Sequence, residues 1–420
     1  MMPVGIEAMN VFAGTSYVDV GKLAVHRGLD TARFENLLMK EKTVALPNED
    51  PVTFGVNAAK PIIDALSEEE RDRIELVITA TESAFDFGKS MSTYFHSLLG
   101  LGRNCRLMEI KVACYSGVAA LQTAVNFVLS QTSPGAKALV IATDLTRFMV
   151  AEGGDALSED WSFAEPSGGA GAVAMLVGEN PKVFQIDVGA SGYYGHEVMD
   201  TCRPLPDSEA GNAELSLLSY LDCCENAFLE YQRRVGDVDF VDTFGYLAFH
   251  TPFGGMVKGA HRNLMRKMNK ARPAAIEEDF TRRMGPGLTY CRRVGNVMGA
   301  TTMLALASTI DNADLSGGAQ RVGCFSYGSG CCSEFFSGVV RPESQAQLRR
   351  MGIAASLDDR YELDMAQYDL LLKNNDAVRF GTRNVELAGS TVPEARSALG
   401  RERLFLKRIN EFHREYEWVS

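Results

Sequence analysis

The chain has 420 residues, 46% of them hydrophobic and 23% charged, enough apolar material to bury a large core organised as two domains or two halves. A net charge of −12 argues against nucleic acid as a partner, because phosphate binding needs a broad basic surface. Nine cysteines without C-x-x-C spacing, no basic-flanked apolar leader, and no run nearing the roughly 20 apolar residues of a membrane helix point to a reduced, cytoplasmic protein that meets no membrane.

Along the chain, helical patterns alternate with short apolar runs rich in β-branched residues. A helix is expected over Pro51 to Leu66 and a strand over Glu75 to Thr81; a helix then follows from Cys114 to Leu129, with strands at Lys137 to Thr143, Ala172 to Val177 and Val183 to Val188. Beyond these come a strand over Phe240 to Phe249, helices over Phe253 to Met268 and Asn296 to Ile310, and a strand over Arg321 to Ser326. From Arg341 the pattern is charged and helical, with Glu394 to Ser420 expected as a terminal helix. This is an α/β chain. LVITAT and ALVIAT are apolar almost throughout, which suits strands covered on both faces. The Cys114 and Asn296 helices are the most apolar and belong between layers, so a five-layer arrangement is expected. SGGAGAVAMLVG (Ser167 to Gly178) and YGSGCCSEFFSGVV (Tyr327 to Val340) share a glycine-rich entry into a strand, an echo that predicts two similar halves. Their expected extents are residues 1–180 and 181–420, the second ending in a helical extension.

Three residues have the chemistry and placement of a catalytic set. Cys114 stands at the expected start of an apolar helix, where unsatisfied N–H groups and the helix dipole favour a thiolate; the same position also fits a cysteine that merely fills space. His250 ends an apolar run just before TPFGG, placing a titratable ring at a strand end, although a ring satisfied by local backbone would look the same. Glu82 follows LVITAT, where apolar neighbours would raise its pKa as a carbon base requires; Asp86 competes, and helix capping is open to both. His96 and His261 have weaker contexts. Asn296 opens an apolar helix, where it could donate to a carbonyl or simply cap, and the loop at Gly328 and Ser329 could approach a ligand and donate N–H groups or be a plain turn. Cys223-Cys224 and Cys331-Cys332 lack histidines at ligand spacing, so no metal is expected.

In order, FAGTSYVD, TESAFDFGKS, ACYSGVAAL, AFHTPF, VGNVMGATT and YGSGCCSEFFSGVV resemble the thiolase superfamily and, within it, 3-hydroxy-3-methylglutaryl-CoA (HMG-CoA) synthase over roughly the first four-fifths of the chain. The resemblance implies a thiolase-like αβαβα fold, a homodimer and a ping-pong acyltransferase. Cys114 would take an acetyl group from a donor thioester, and Glu82 would deprotonate its methyl. The carbanion would attack the ketone of a β-ketoacyl thioester, with His250 assisting acyl transfer and polarising that ketone, and water would release the product from Cys114. Asn296 and Ser329 match positions lining the acyl site. No bound cofactor is implied beyond the pantetheine that carries the substrates.

Downstream of His250, GGMVKGAHRNLMRKMNKAR resembles the polyketide branch of the family, which acts on acyl carrier protein (ACP) and installs β-branches. Gly254 and Gly255 depart from the bulkier residues expected in mevalonate enzymes. Lys258, Arg262, Arg266, Lys267 and Lys270 recur at helical spacing, a basic face suited to steering donor and acceptor ACPs, or to the phosphates of CoA. Mevalonate-type HMG-CoA synthesis from acetyl-CoA and acetoacetyl-CoA is the alternative. A decarboxylative ketoacyl-ACP synthase III would share the order Cys, His, Asn but need no carboxylate such as Glu82. A silent partner subunit would be expected to have lost one of Cys114, Glu82 and His250.

Overall fold

The computed structural model describes residues 2–30, 34–146, 164–205, 208–387, 389 and 391–420. Its main sheet has nine strands: β1 (Gly5–Phe12), β2 (Ile74–Ala80), β3 (Arg106–Ile110), β4 (Lys137–Leu145), β5 (Ala170–Gly178), β6 (Phe184–Gly195), β7 (Tyr246–Phe249), β8 (Gln320–Gly328) and β9 (Cys332–Val340). They run in the order β7-β8-β9-β6-β1-β5-β4-β2-β3.

The pairing repeats itself. β2 lies parallel to β4, which is antiparallel to β5, which is antiparallel to β1. In the same sequence of directions β7 is parallel to β8, β8 antiparallel to β9 and β9 antiparallel to β6. The two glycine-led segments seen as an echo are β5 and β9, which occupy matching places. The halves join through a short antiparallel contact of β1 with β6, Gly5 opposite Gln185 and Ile6 opposite Phe184. Only glycine fits here, since a Cβ on Gly5 would stand 2.1 Å from the Phe184 carbonyl oxygen and φ is +156°.

Strand alternation sorts the core into layers. Ile78 and Ala80 of β2 and Ala138, Val140 and Ala142 of β4 face a central layer made of α2 (Ser116–Ser130) and α5 (Thr301–Asn312). Val77, Leu139 and Ile141 face the opposite way, toward α1 (Pro51–Asp64). On the far side of the second half, α3 (Ala213–Val235) and α4 (Gly254–Asn269) pack against Leu247, Phe249, Phe325 and Phe335. Gly117 meets the 298–300 turn so closely that a Cβ would lie 2.1 Å from the Gly299 carbonyl oxygen. Contrary to the expectation that no run nears membrane-helix length, residues Ala113–Ser130 are long and apolar enough to cross a membrane by length and composition, and here they form part of that central layer. The sheets and three helix layers are those of a thiolase-like αβαβα fold.

Two expectations are corrected. The run Phe240 to Phe249 is a strand only over Tyr246–Phe249, because the Asp239 carboxylate accepts the N–H groups of Val241 and Asp242 at 2.7 and 2.9 Å and turns the chain first. The carboxyl-terminal segment is no helix beyond Pro393–Ser397: it is a hairpin of β10 (Arg403–Asn410) and β11 (His413–Val419). Leu404, Phe405, Leu406 and Ile409 are buried by tertiary contact, with Asn57 of α1 bonding both the N–H and the C=O of Leu404. Asp50 accepts from Arg414 at 3.1 Å and Tyr416 at 2.9 Å.

Candidate active site

Cys114 lies in the tight turn between β3 and α2. Tyr115 N–H bonds the Val112 carbonyl and Ser116 N–H that of Ala113, both at 3.1 Å. Ala113 adopts φ +43°, a left-handed conformation that costs a non-glycine residue on the order of 1–3 kcal/mol and is held by its surroundings. The turn leaves Cys114 half-buried on a cavity wall, its Sγ 3.8 Å from Met298 Sδ.

Glu82 leaves the end of β2 in a turn organised by Asp144, the penultimate residue of β4. Asp144 Oδ1 accepts from Thr81 Oγ1 (3.0 Å), Glu82 N–H (2.7 Å), and Ser83 N–H and Oγ (3.0 and 2.9 Å), and Oδ2 accepts from Gly299 N–H at 3.1 Å. Burial pushes the Asp144 carboxyl up to about 6, even against these donors. Arg203 bonds the Glu82 carbonyl at 2.9 Å and stands 3.9 Å from its Oε2. Asp86 also reaches the cavity, but N–H groups of Lys89 and Gly88 hold its exposed carboxyl below the ordinary range, which suits a turn acceptor rather than a base.

His250 is delivered by the end of β7 and is 1% exposed. Its N–H bonds the Phe325 carbonyl at 2.7 Å and its carbonyl accepts from Tyr220 Oη at 2.6 Å. Burial lowers the ring to about 3, so it is neutral at pH 7. Its Nδ1 is buried and makes no hydrogen bond within the described residues.

Glu82, Cys114, His250, Asn296 and Ser329 all line one cavity of about 1000 Å³. Asn296 commits its side-chain oxygen to Met298 N–H (3.0 Å) and Thr301 Oγ1 (2.9 Å), so its NH₂ is the group able to meet a carbonyl. Gly328 is not on the wall. It packs behind the nucleophile turn, where a Cβ would lie 2.7 Å from the Val112 oxygen and 2.8 Å from the Tyr115 nitrogen. His96 bonds the Gly102 carbonyl and His261 is buried against Asp279 at 2.7 Å; neither lines the cavity. Of the basic face on α4, Lys258 pairs with Glu277 (2.8 Å) and Lys267 with Glu225 (2.6 Å). Arg262 and Arg266 are exposed with no ion pair among the described residues. No group of three His, Cys, Asp or Glu side chains that could hold a metal is found among those residues.

Asp144 and Arg203 escaped the sequence reading. Asp144 in ALVIATDL, like Glu82, is a carboxylate at the carboxyl end of a buried-type strand. Nothing local marks Arg203, which a separate hairpin strand, Thr201–Leu205, brings in.

Scaffolds with this layering and a cysteine at the head of a central helix are those of thiolase-like condensing acyltransferases. The chain belongs to the hydroxymethylglutaryl-coenzyme A synthase family: residues 2–182 match the model of its N-terminal part and residues 261–418 that of its C-terminal part. It is 68% identical to the polyketide biosynthesis 3-hydroxy-3-methylglutaryl-ACP synthase PksG of Bacillus subtilis, with all of both chains covered. The crystal structure of the curacin biosynthetic pathway HMG synthase in complex with apo donor-ACP superposes with a TM-score of 0.94 at 61% identity, covering 99% of this chain and 100% of that one. The hydroxymethylglutaryl-CoA synthase of Enterococcus faecalis is 33% identical over 88% of this chain and 91% of its own length.

Proposed function

We propose that the protein is a 3-hydroxy-3-methylglutaryl-ACP synthase of polyketide β-branching. The observation that carries the chemistry is the delivery of Glu82, Cys114 and His250, from three separate strand ends and turns, to a single cavity. The Cys114 thiolate attacks the thioester carbonyl of acetyl-ACP and releases the carrier thiol, leaving acetyl-cysteine. Glu82 takes a proton from the acetyl methyl, and the carbanion adds to the ketone carbon of an ACP-bound β-ketoacyl (acetoacetyl-like) thioester. The neutral His250 ring donates a hydrogen bond to the ketone oxygen as it becomes an alkoxide, and the alkoxide takes up the proton that Glu82 removed from the methyl. Water then hydrolyses the Cys114 thioester, so the product leaves on the acceptor carrier with a new carboxylate.

Asn296 and Ser329 bind the acyl groups. Lys258, Arg262, Arg266 and Lys267 dock the acidic carrier, with Arg262 and Arg266 carrying most of the attraction because the two lysines are neutralised by Glu277 and Glu225. High identity to PksG and to an HMG synthase crystallised with a donor ACP supports ACP over CoA. The assembly is a cytoplasmic homodimer of two-halved chains divided near residue 180, without a bound cofactor. Mevalonate-type use of CoA thioesters is the competing reading, favoured by the likeness to hydroxymethylglutaryl-CoA synthases such as the Enterococcus enzyme.

Intact-protein mass spectrometry after incubation with acetyl-ACP or acetyl-CoA, followed by acetoacetyl-ACP or acetoacetyl-CoA, separates the two. Rapid acetylation of Cys114 and product formation with the ACP pair alone is expected. Equal or better turnover of the CoA pair would assign the enzyme to the mevalonate type.

A further inference from the structure

The turn that carries Cys114 is held from the other half of the molecule. Glu334 lies on β9, 1% exposed, and its two oxygens are shared between two points of the nucleophile segment: Oε2 accepts from Tyr115 Oη at 2.6 Å and Oε1 from Gln122 Nε2 at 2.8 Å. Tyr115 and Gln122 are seven residues apart, two helical turns, and therefore on one face of the α2 segment. A single carboxylate gripping both fixes where the helix begins along its axis and how it is rotated. The same hairpin presses Gly328 against Val112 and Tyr115 from behind, and Ala113, which lies between those two, sits in a left-handed conformation that needs such support.

A buried carboxylate is a costly way to join a helix to a strand. Burial raises the Glu334 carboxyl, and hydrogen bonds from Tyr115, Ser191 and Gln122 act against that rise. Burial together with the Glu334 charge pushes the Tyr115 hydroxyl far up, so it stays a donor. The charge-assisted bond to Tyr115 is directional where an apolar contact would not be.

We propose that Glu334 is a positioning residue for the nucleophile: through Tyr115 and Gln122 it sets the entry of α2 and so the point from which Cys114 meets the donor carbonyl. The inference rests on the reading of Cys114 as the acetyl acceptor. It also ties that turn to the loop bearing Ser329, since β9 follows the loop directly and Ser329 shares the cavity wall with Cys114.

The test compares wild type, Glu334→Gln, Tyr115→Phe and the double variant. Two rates are measured at Cys114 by peptide mass spectrometry: single-turnover acetylation from acetyl-ACP over a range of concentrations, and alkylation by iodoacetamide, which makes no demand on a bound thioester. Each single variant is expected to slow acetylation at saturating donor ~10-fold, with the half-saturating concentration and the alkylation rate within about twofold of wild type. The double variant should lose no more than Glu334→Gln alone, because the Tyr115 bond is part of what that change already disturbs. Unchanged acetylation in Tyr115→Phe, which removes one oxygen atom and is the milder change, would overturn the proposal. So would a fall in alkylation equal to the fall in acetylation, which would mean a disordered turn. A wild-type protein that is alkylated but never acetylated would instead remove the reading of Cys114 itself.

Discussion

Asp144 holds Glu82 by its backbone: the aspartate Oδ1 accepts the Glu82 N–H at 2.7 Å, while its Oδ2 accepts the Gly299 N–H at 3.1 Å. One carboxylate thus joins the turn that carries the proposed base to the turn packed against the start of α2. In Asp144→Asn the amide has one acceptor oxygen and turns NH₂ donors toward N–H groups. Condensation is expected to fall about 100-fold, the scale of a misplaced catalytic group, with carrier binding unchanged. Single-turnover rates against carrier affinity check this, and an equal loss in both would make Asp144 part of the docking surface.

Asp144 also leaves a pH signature. Its carboxyl is raised from the ordinary 3.8 to about 6, chiefly by burial, so the native chain binds this proton more tightly than the unfolded one. Its contribution to stability is therefore full below about 3.8 and is lost as pH rises through about 6, whereas the ionised form is the better acceptor for its five donors. Stability and activity run in opposite directions at this group. Melting temperatures across that interval should show a steeper loss with rising pH in wild type than in Asp144→Asn. Parallel curves would remove Asp144 as the titrating group.

Among the cavity residues, Glu82→Gln should still be acetylated on Cys114 but condense 10²–10⁴-fold more slowly, the usual contribution of a positioned base. Cys114→Ser should not be acetylated by the thioester, and His250→Ala should slow both half-reactions. Retained condensation in Glu82→Gln would place the base elsewhere. Asp86 is poorly suited, since its turn donors keep it ionised and weakly basic.

Charge reversal on α4 should act unevenly. Arg262→Glu and Arg266→Glu are expected to weaken turnover of carrier-bound substrates about tenfold while leaving a small thioester mimic unaffected, an effect that fades with added salt. Lys258→Glu and Lys267→Glu also set up repulsion with Glu277 and Glu225, so their readout mixes docking with stability. Equal losses on carrier and mimic in the arginine variants would end the docking assignment.

The carboxyl-terminal hairpin offers a stability test. Asn57→Ala leaves the Leu404 N–H and C=O without their partner and should cost about 1–3 kcal/mol. Denaturant titration measures it, and a change below about 0.5 kcal/mol would mean that the hairpin is held by its apolar residues alone.

Local patterns in the chain were enough to predict the layered α/β class and the two central helices, and they singled out Glu82, Cys114 and His250, which the fold brings to one cavity. Apolar runs show which strands are covered on both faces, and each candidate stands at the end of such a run or the head of an apolar helix. The carboxyl-terminal segment misled because its charged residues, short-range in pattern, outnumber the few that α1 buries; what makes it a hairpin is the pairing of Arg403–Asn410 with His413–Val419 and the bonds from Asn57 and Asp50. Gly328 looked like a ligand loop, and only packing shows it wedged behind the Cys114 turn.

What the sequence by itself determined is therefore the chemistry available and the ends of the elements that hold it, since periodicity and residue type are local properties. The tertiary structure alone decided that Asp144, Arg203 and Glu334 stand beside Glu82 and Tyr115, because these contacts join residues 62, 121 and 219 positions apart. A hydrogen bond depends on distance and angle in space, and the folding of one half against the other sets both.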